Sequence, residues 1–562
     1  MQFSRPLVRS LSVLTEREYD VVVVGGGIYG ICAAWDAVRR GLSVALVERG
    51  DFANATSANS FKMVHGGIRY LQHADVVRIR ESVRDRNALL RVAPHLVHPL
   101  PIVIPTYGHG MRGRAPLRAG FLVYDLLAAD RNRGIRDPDR RIPAGRLLSR
   151  DECLELFPHL DQRGLTGGGL FHDAQMYNPP RLALAFLRSA VDAGVDAANY
   201  VEAVHFIRRD HRVTGIAARD VLTGETFGIR ARSVVNAAGP WAEHLLASDP
   251  TLRLSPPSTF SRDACFVVAR PLLGKYALAV PGATGDPDAI ISRNARHLFL
   301  VPWRGHTLVG VWHVVYSGAP DNVRVCREDL ESFLAEINEA YPPLALTMRD
   351  ISTNNCGLVL FGENTPGATN LKYGHRSRLV DHAHADGVDG LVTVIGVRWT
   401  TARGVATTAI DMVCRKLGRR TSPSHTESAP VHGGDIDGFE SFAETAVRQR
   451  PPGVSEATMR SLAHNHGSAY QRVLRYACEN PEWLKPVGTS DVIKAEVVHA
   501  VREEMAQHLT DVVFRRTDLG TGGHPGDEAL RACADVMAAE SGWSEDRTAC
   551  ELEAVERAFP RW

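Results

Sequence analysis

The 562-residue chain lacks the run of roughly 20 apolar residues that a membrane-crossing helix requires. It also lacks a Cys-x-x-Cys pair. Its nine cysteines, at 32, 153, 265, 326, 356, 414, 478, 533 and 550, have neither zinc nor iron–sulfur spacing, so no metal site is expected and they read as reduced, mostly buried small hydrophobes. There is no excess of either charge. With 65 Lys and Arg against 64 Asp and Glu, the formal charge is +1, which excludes the basic footprint of a nucleic-acid binder. Internal repeats and long low-complexity tracts are missing as well. The opening stretch MQFSRPLVRSLSVLTEREYD has no sustained apolar core and no cleavage site, so the expected address is the cytoplasm. Arg5, Arg9 and Arg17 are too few to assign lipid binding, although peripheral contact at an inner membrane face needs only a surface patch.

What the sequence does contain starts at residue 19. YDVVVVGGGIYGICAAWDAVRRGLSVALVERG opens with a β-branched run at Val21 to Val24, turns through three glycines and continues with helical apolar spacing to Val38. A second apolar run, Ser43 to Val47, ends in Glu48. This is strand, glycine turn, helix and strand with GxGxxG at Gly25, Gly27 and Gly30, and with an acid placed to accept from ribose hydroxyls. The helix N-terminus offers N–H groups to a pyrophosphate. The motif alone does not separate NAD from FAD. The following stretch, ATSANSFKMVHGGIRYL, adds Thr56, Ser57, Asn59 and Ser60 as polar groups, and its Gly66-Gly67 pair allows a flat ring to lie near the backbone.

Two distant segments repeat the theme. In SVVNAAGPWAEHLL a short strand, Val234 to Asn236, runs into small residues Ala237, Ala238 and Gly239 and then Trp241. In LVTVIGVRWTTARGVA a strand, Leu391 to Ile395, is followed by Gly396 and a helix opening at Thr400 and Thr401, whose N-terminus suits a carbonyl edge that gains negative charge. Three separated segments converging on one nucleotide fit a flavoprotein better than a simple nicotinamide dehydrogenase.

Together these segments resemble the FAD-dependent glycerol-3-phosphate dehydrogenase family, within the glutathione-reductase and D-amino-acid-oxidase type of flavoproteins. The likeness runs from Tyr19 to Gly418 and resumes in the C-terminal region. It is carried by GxGxxG with Glu48, HGGIRYL at 65 to 71, NAAGPW at 236 to 241, PW with LVG at 302 to 310, and AVREEMAQHLTDVVFRRT at 500 to 517. The resemblance implies an α/β with α+β fold: a Rossmann-like FAD domain, an antiparallel-sheet substrate domain and a C-terminal helical domain. The expected division is a tail at 1–18, a discontinuous FAD domain at 19–100, 170–258 and 386–420, a substrate domain at 101–169 and 259–385, and a linker with helical domain at 421–562. Within the last region, Asp491 to Thr517 shows helical spacing with Val497, Val501, Met505 and Leu509 as its apolar stripe and His499, Arg502 and Glu503 mostly outside.

By that resemblance FAD contacts Gly25, Gly27, Gly30, Glu48, Thr56, Ser57, Ser60, Lys62, Gly66, Gly67, Ala238, Gly239, Trp241, Gly396, Arg398, Thr400 and Thr401. Family chemistry oxidises the secondary hydroxyl of a phosphorylated polyol: a base takes the O–H proton, the C–H leaves as hydride to the flavin, and electrons pass on to a quinone or to oxygen. Catalytic candidates are His65, Arg69, Arg398 and His313; candidates for substrate contact are Arg69, Tyr70, Arg376, Trp312 and Val359. Arg69 suits bidentate binding of an anion, and a neutral imidazole at His65 or His313 suits the base. For the family arginine, Arg376 competes with Arg378.

The substrate-side pattern departs from the family. Where the family reads G-V-R-P-L the chain has Gly357-Leu358-Val359-Leu360, and where it reads G-G-K the chain has Gly396-Val397-Arg398. The family's G-T-T-D is Gly310-Val311-Trp312-His313, and its G-S/T-H is Asp263-Ala264-Cys265. Loss of a charged contact costs a few kcal/mol, or about two decades of affinity per 3 kcal/mol. The expectation is therefore a phosphorylated or polyhydroxylated compound other than glycerol 3-phosphate itself. Rival readings are an amine or amino-acid oxidase, which needs a carboxylate or carbonyl acceptor where the candidate pocket is cationic, and a catalytically silent flavin-binding protein. A homodimer is expected on the resemblance alone.

Overall fold

A computed structural model describes residues 5–108, 113–285, 287, 296–368, 371–374 and 376–560, which fall into two compact units. The first comprises residues 5–59, 178–258 and 376–559. Its central sheet has six strands in the order Arg378–Asp381, Leu391–Ile395, Val234–Asn236, Val21–Val24, Val44–Val47 and Asp196–Ala198. All neighbours are parallel except the first pair. Strands Val21–Val24, Val44–Val47 and Leu391–Ile395 are buried at every residue, as continuous apolar runs in a helix-covered parallel sheet must be. Helix Ile28–Arg39 packs between Pro179–Asp192 and Ala402–Lys416, with Trp35 edge-on to Phe186 at 5.2 Å. A four-stranded sheet joins Glu18–Tyr19, Thr226–Ala231, Arg212–Asp220 and Val201–Arg209.

The C-terminal helices, Phe439–Arg448, Glu456–His466, Lys494–Glu503, Asp527–Ser541 and Glu545–Ala558, belong to this same unit and close two apolar clusters of their own. The helical run expected over Asp491 to Thr517 is broken. Helix Lys494–Glu503 stops before Met505, whose φ of 58° lies in the left-handed region, and the chain resumes as Leu509–Asp511 and the turn Val512–Arg516. His499 and Glu503, expected outside, are buried; Glu503 accepts from Arg472 Nη2 at 2.7 Å and Tyr476 O–H at 3.0 Å, and also pairs with Arg475. Nor is 1–18 a loose tail among its described residues: Leu11–Glu16 is helical, the Leu7 N–H donates to Glu503 O at 3.0 Å, and Arg9 pairs with Asp220.

The second unit comprises residues 60–177 and 259–374. One large sheet runs Ile351–Leu360, Phe260–Val268, His306–Tyr316, His297–Trp303, Ala277–Pro281, Val97–Tyr107, Leu165–Met176 and Met63–Val64, with Arg146–Leu148 also on Leu165–Met176. Its pairs are antiparallel, save Ala277–Pro281 beside Val97–Tyr107. Helix Arg327–Ala340 covers one face of the Phe260–Val268 end, burying Phe333, Leu334 and Ile337 with Phe266 and Trp312. The boundaries thus differ from those expected. Residues 60–100 and 170–177 pack with the large sheet because Met63–Val64 and Val97–Tyr107 pair with Leu165–Met176, while 376–385 pack with the six-stranded sheet through Arg378–Asp381.

Candidate active site

In the first unit the glycine turn is shaped by what a side chain would strike. A Cβ on Gly25, at φ +102°, would meet Ala237 O at 2.6 Å; one on Gly30 would meet Gly25 O at 1.9 Å. Gly27 caps helix Ile28–Arg39, and a Cβ there would come to 3.3 Å from the Ser57 hydroxyl. At Gly25 and Gly30 the turn is therefore closed to side chains by backbone. Ser57 Oγ accepts from Ile28 N–H at 3.0 Å, and Trp399 Nε1–H donates to Ser57 O at 3.2 Å. Thr56 is half-buried beside it.

Glu48 stands at the lip. Its Oε2 accepts from Gly26 N–H at 2.6 Å and its Oε1 from Gly50 N–H at 2.8 Å. Burial raises its carboxyl above the usual range, against the pull of those two donors. Each oxygen keeps a second lone pair with which a ribose hydroxyl can be bound. Behind the turn, Ala238 N–H donates to Asn236 Oδ1 at 3.3 Å and Gly239 takes a φ of +57°. The Arg49 guanidinium lies over Trp241, 5.0 Å from the ring centre.

The third segment is held by a residue that sequence reasoning missed. Tyr29, an x of GxGxxG, donates its hydroxyl to Arg398 O at 2.7 Å and accepts from Arg398 N–H at 3.1 Å. A Cβ on Gly396 would meet the Tyr29 ring at 2.0 Å, so Gly396 is the position that lets the phenol in. Arg398 is half-buried, and Thr400 and Thr401 are buried at the N-terminus of Ala402–Lys416. Arg376 is exposed on this unit, whereas Arg378 donates to Pro256 O at 2.7 Å and Ser258 Oγ at 3.0 Å. A buried glycine cradle, a helix N-terminus, a carboxylate with open lone pairs and a second helix N-terminus fit the pyrophosphate, ribose and carbonyl edge of FAD.

Ser60, Lys62, Gly66 and Gly67, expected at the cofactor, fall in the second unit. Lys62 is 2% exposed with a φ of 62°; its ammonium sits 4.7 Å from the Trp303 ring centre and donates to Ser60 O at 3.5 Å. Burial lowers its amine to about 8, with Cys265 pulling weakly the other way. Gly66 N–H donates to the buried Asp173 Oδ1 at 2.5 Å, which also accepts from Arg86 Nη1 at 2.6 Å. A Cβ on Gly66 would strike the Tyr124 hydroxyl at 2.1 Å, and Gly67, at φ +78°, has Tyr70 against it. Tyr70 is buried between His65, edge-on at 5.9 Å, and the Arg78 guanidinium at 4.2 Å. Tyr70 thus packs within the loop that carries His65 and Arg69.

On the large sheet, His313 Nδ1 donates to Asp263 Oδ1 at 2.8 Å, and Asp263 also accepts from the Ser261 hydroxyl. Because a carboxylate only accepts, this bond assigns a proton to His313 Nδ1. Tyr373, missed in the sequence, packs edge-on to His313 at 4.8 Å and carries Arg69 at 5.7 Å and Arg296 on its ring. Val359 pairs with Ser261 and so lies on the Asp263–His313 face. Trp312 does not. Successive strand residues point to opposite faces, and Trp312 is stacked between Phe266 and Phe333 with Nε1–H on Glu336 Oε2 at 2.8 Å. At 6% exposed it belongs to the core under helix Arg327–Ala340, so its expected role in substrate binding is corrected.

Comparison with known proteins identifies the family. The family described as "FAD dependent oxidoreductase" matches residues 20–411, and the "C-terminal domain of alpha-glycerophosphate oxidase" matches residues 424–548. The glycerol-3-phosphate dehydrogenase of Synechocystis sp. is 30% identical over 553 residues, 96% of each chain. Glycerol-3-phosphate dehydrogenase 2 of Mycobacterium tuberculosis is 30% identical over 94% of this chain and 86% of its own. Among solved structures, the glycerol-3-phosphate dehydrogenase of Bacillus halodurans complexed with FAD superposes with a TM-score of 0.76 at 26% identity, covering 98% of this chain and 96% of that one. The chain therefore belongs to the FAD-dependent oxidoreductase family, in its glycerol-3-phosphate dehydrogenase and oxidase group, and is an FAD-dependent enzyme acting on CH–OH groups.

Proposed function

We propose that the protein oxidises a secondary hydroxyl of a phosphorylated or polyhydroxylated compound related to glycerol 3-phosphate, giving the carbonyl. When bound, FAD supplies the acceptor for the two electrons of the C–H bond. The chain's own tasks are to hold the anion, orient the hydroxyl and remove its proton. The observation that carries the reading is the cluster on the second unit, where a histidine oriented by Asp263 shares Tyr373 with Arg69 and Arg296. In this reading His313 Nε2 takes the proton and Arg69 forks onto the anionic end. His65, edge-on to the buried Tyr70, is the second candidate for the base.

Val359, in place of a family arginine, stands on the same sheet face, which supports a substrate with an apolar or bulkier portion there. Asp263 supplies the acid that amine oxidation would require, yet its Oδ1 already serves His313 and Ser261, so the alcohol reading is favoured. His313→Ala should lower kcat by about 10²–10⁴-fold with FAD content unchanged, and Asp263→Asn should lower kcat too by releasing the ring orientation that Asp263 sets. A His313→Ala enzyme with undiminished kcat, alongside a crippled His65→Ala, would move the base to His65.

For the onward acceptor, a quinone or oxygen, the exposed helix Arg114–Leu127 supports contact with an anionic membrane surface. Leu122, Val123 and Leu126 are 64%, 50% and 77% exposed, with Arg114 and Arg118 exposed on the same helix. An apolar stripe beside arginines matches the charge and depth of a lipid interface. The homodimer rests on the family likeness and is tested by sedimentation velocity.

A further inference from the structure

The motif VVFRRT, at the C-terminal end of the family likeness, has no part in the reading above, yet it reaches the cofactor turn. Asp51, three residues after Glu48, is fully buried. Its Oδ2 accepts from Arg515 Nε at 2.6 Å and Arg516 Nη1 at 2.6 Å; its Oδ1 accepts from Arg516 Nη2 at 2.7 Å and Asn199 Nδ2 at 3.0 Å. All four lone-pair directions of the carboxylate are thus filled, two of them by the fork of one arginine. Burial by itself raises the Asp51 carboxyl, but the two guanidiniums outweigh it and hold it well below the usual range.

The charges balance locally. Arg515 Nη2 also donates to Asp511 Oδ1 at 2.6 Å, which accepts from Tyr200 O–H at 2.7 Å, and Arg516 Nε donates to Glu504 O at 3.0 Å. The other side of the same turn touches the cradle. Ala53 N–H donates to Gly26 O at 2.9 Å, and Gly26 N–H donates to Glu48 at 2.6 Å. A Cβ on Gly26 would meet the buried Phe52 ring at 2.7 Å. Val201 N–H and Tyr200 N–H hold Glu48 O and Gly50 O at 2.8 and 2.9 Å. The five residues from Glu48 to Phe52 therefore run from a carboxylate at the lip, through a carboxylate fixed by the C-terminal segment, to a ring against Gly26.

We propose that Arg515 and Arg516 are positioning residues for FAD: through Asp51 the C-terminal segment sets the turn that presents Glu48 and Gly26 to the cofactor's ribose and pyrophosphate. The inference rests on FAD occupying the glycine cradle, and it makes the C-terminal region part of the cofactor site instead of an accessory domain. A lysine at 516 keeps the charge but not the fork. Reciprocity requires that whatever the arginines do for FAD, FAD does for the arginines.

The test is FAD release from the purified holoenzyme, followed by flavin fluorescence, in Arg516→Lys, Arg515→Lys and the comparison variant Arg188→Met. Arg188 joins another helix to the same C-terminal region, at Glu503, and makes no hydrogen bond to residues 48–53 among the described contacts. The expected result is an FAD dissociation constant at least tenfold weaker in Arg516→Lys, a smaller loss in Arg515→Lys and none in Arg188→Met. Equal falls in melting temperature with unchanged FAD affinity in all three would overturn the proposal and leave a structural clasp only. Should Arg516→Lys fail to fold, hydrogen–deuterium exchange on the unmodified protein decides: adding FAD should protect residues 505–517 together with 48–57, and protection confined to 48–57 would refute the coupling. Wild-type protein that binds no FAD under any condition would instead remove the reading on which the inference rests.

Discussion

Lys62 is the residue whose energetics the fold makes most visible. An amine moved from 10.5 to about 8 by burial is a cation held at a cost, and the sign follows from proton counts. Between these two values the folded chain binds fewer protons than the unfolded one, so unfolding becomes harder as pH rises through that window. Below it both states are protonated and the folded state bears the whole penalty, on the order of 3 kcal/mol at about 1.4 kcal/mol per unit. Lys62→Met should therefore be more stable than wild type at pH 7, with the difference shrinking as pH rises from about 8 toward 10.5. Urea unfolding at a series of pH values checks this, and parallel stability curves for the two proteins would contradict it. Lys62 lies over Trp303, 4.7 Å from its ring centre, beside the loop of His65.

At the scale of elements, helix Arg114–Leu127 yields a prediction of its own. Its buried side carries Phe121 and Tyr124, while Leu122, Val123 and Leu126 face outward. The start of helix Val76–Val92 extends that apolar area with exposed Val76 and Val77, since Arg80 donates to Leu127 O at 2.6 Å and ties the two helix ends together. The protein should sediment with vesicles containing phosphatidylglycerol, less well at high salt, and Leu122→Ser with Leu126→Ser should abolish sedimentation. No binding to anionic vesicles, or a patch that instead holds two copies together, would reject the membrane assignment. The elements themselves were largely legible. Val21–Val24, Ile28–Arg39 and Val44–Val47 announce their periods, and Gly25 and Gly30 of the motif sit where backbone leaves no room for a Cβ. Trp312 and His313 show the limit. As neighbours on one strand they cannot share a pocket, but only packing against Phe333 reveals which of the two faces the core.

For the whole molecule, what sequence could not disclose is pairing across long separations. Asp51 and Arg516 lie 465 positions apart, Tyr29 and Arg398 lie 369 apart, and nothing in either local pattern names its partner. The same holds for the boundary at residue 60, fixed by the pairing of Met63–Val64 with Leu165–Met176 and invisible in the apolar pattern around it. Backbone closes off a side chain at Gly25 and Gly30 of the cofactor turn, while Val359 shares a sheet face with the Asp263–His313 pair where the resemblance leads one to expect an arginine. That contrast is the basis for expecting an altered substrate.

The most direct test is anaerobic reduction of the purified, FAD-loaded enzyme, with the loss of flavin absorbance followed as glycerol 3-phosphate, larger phosphorylated polyols and unphosphorylated polyols are added in turn. Bleaching by one of the larger or differently charged compounds at concentrations where glycerol 3-phosphate is ineffective is the predicted result. Rapid bleaching by low concentrations of glycerol 3-phosphate itself would contradict the claim that Val359 and the Asp263–His313 pair mark a changed substrate.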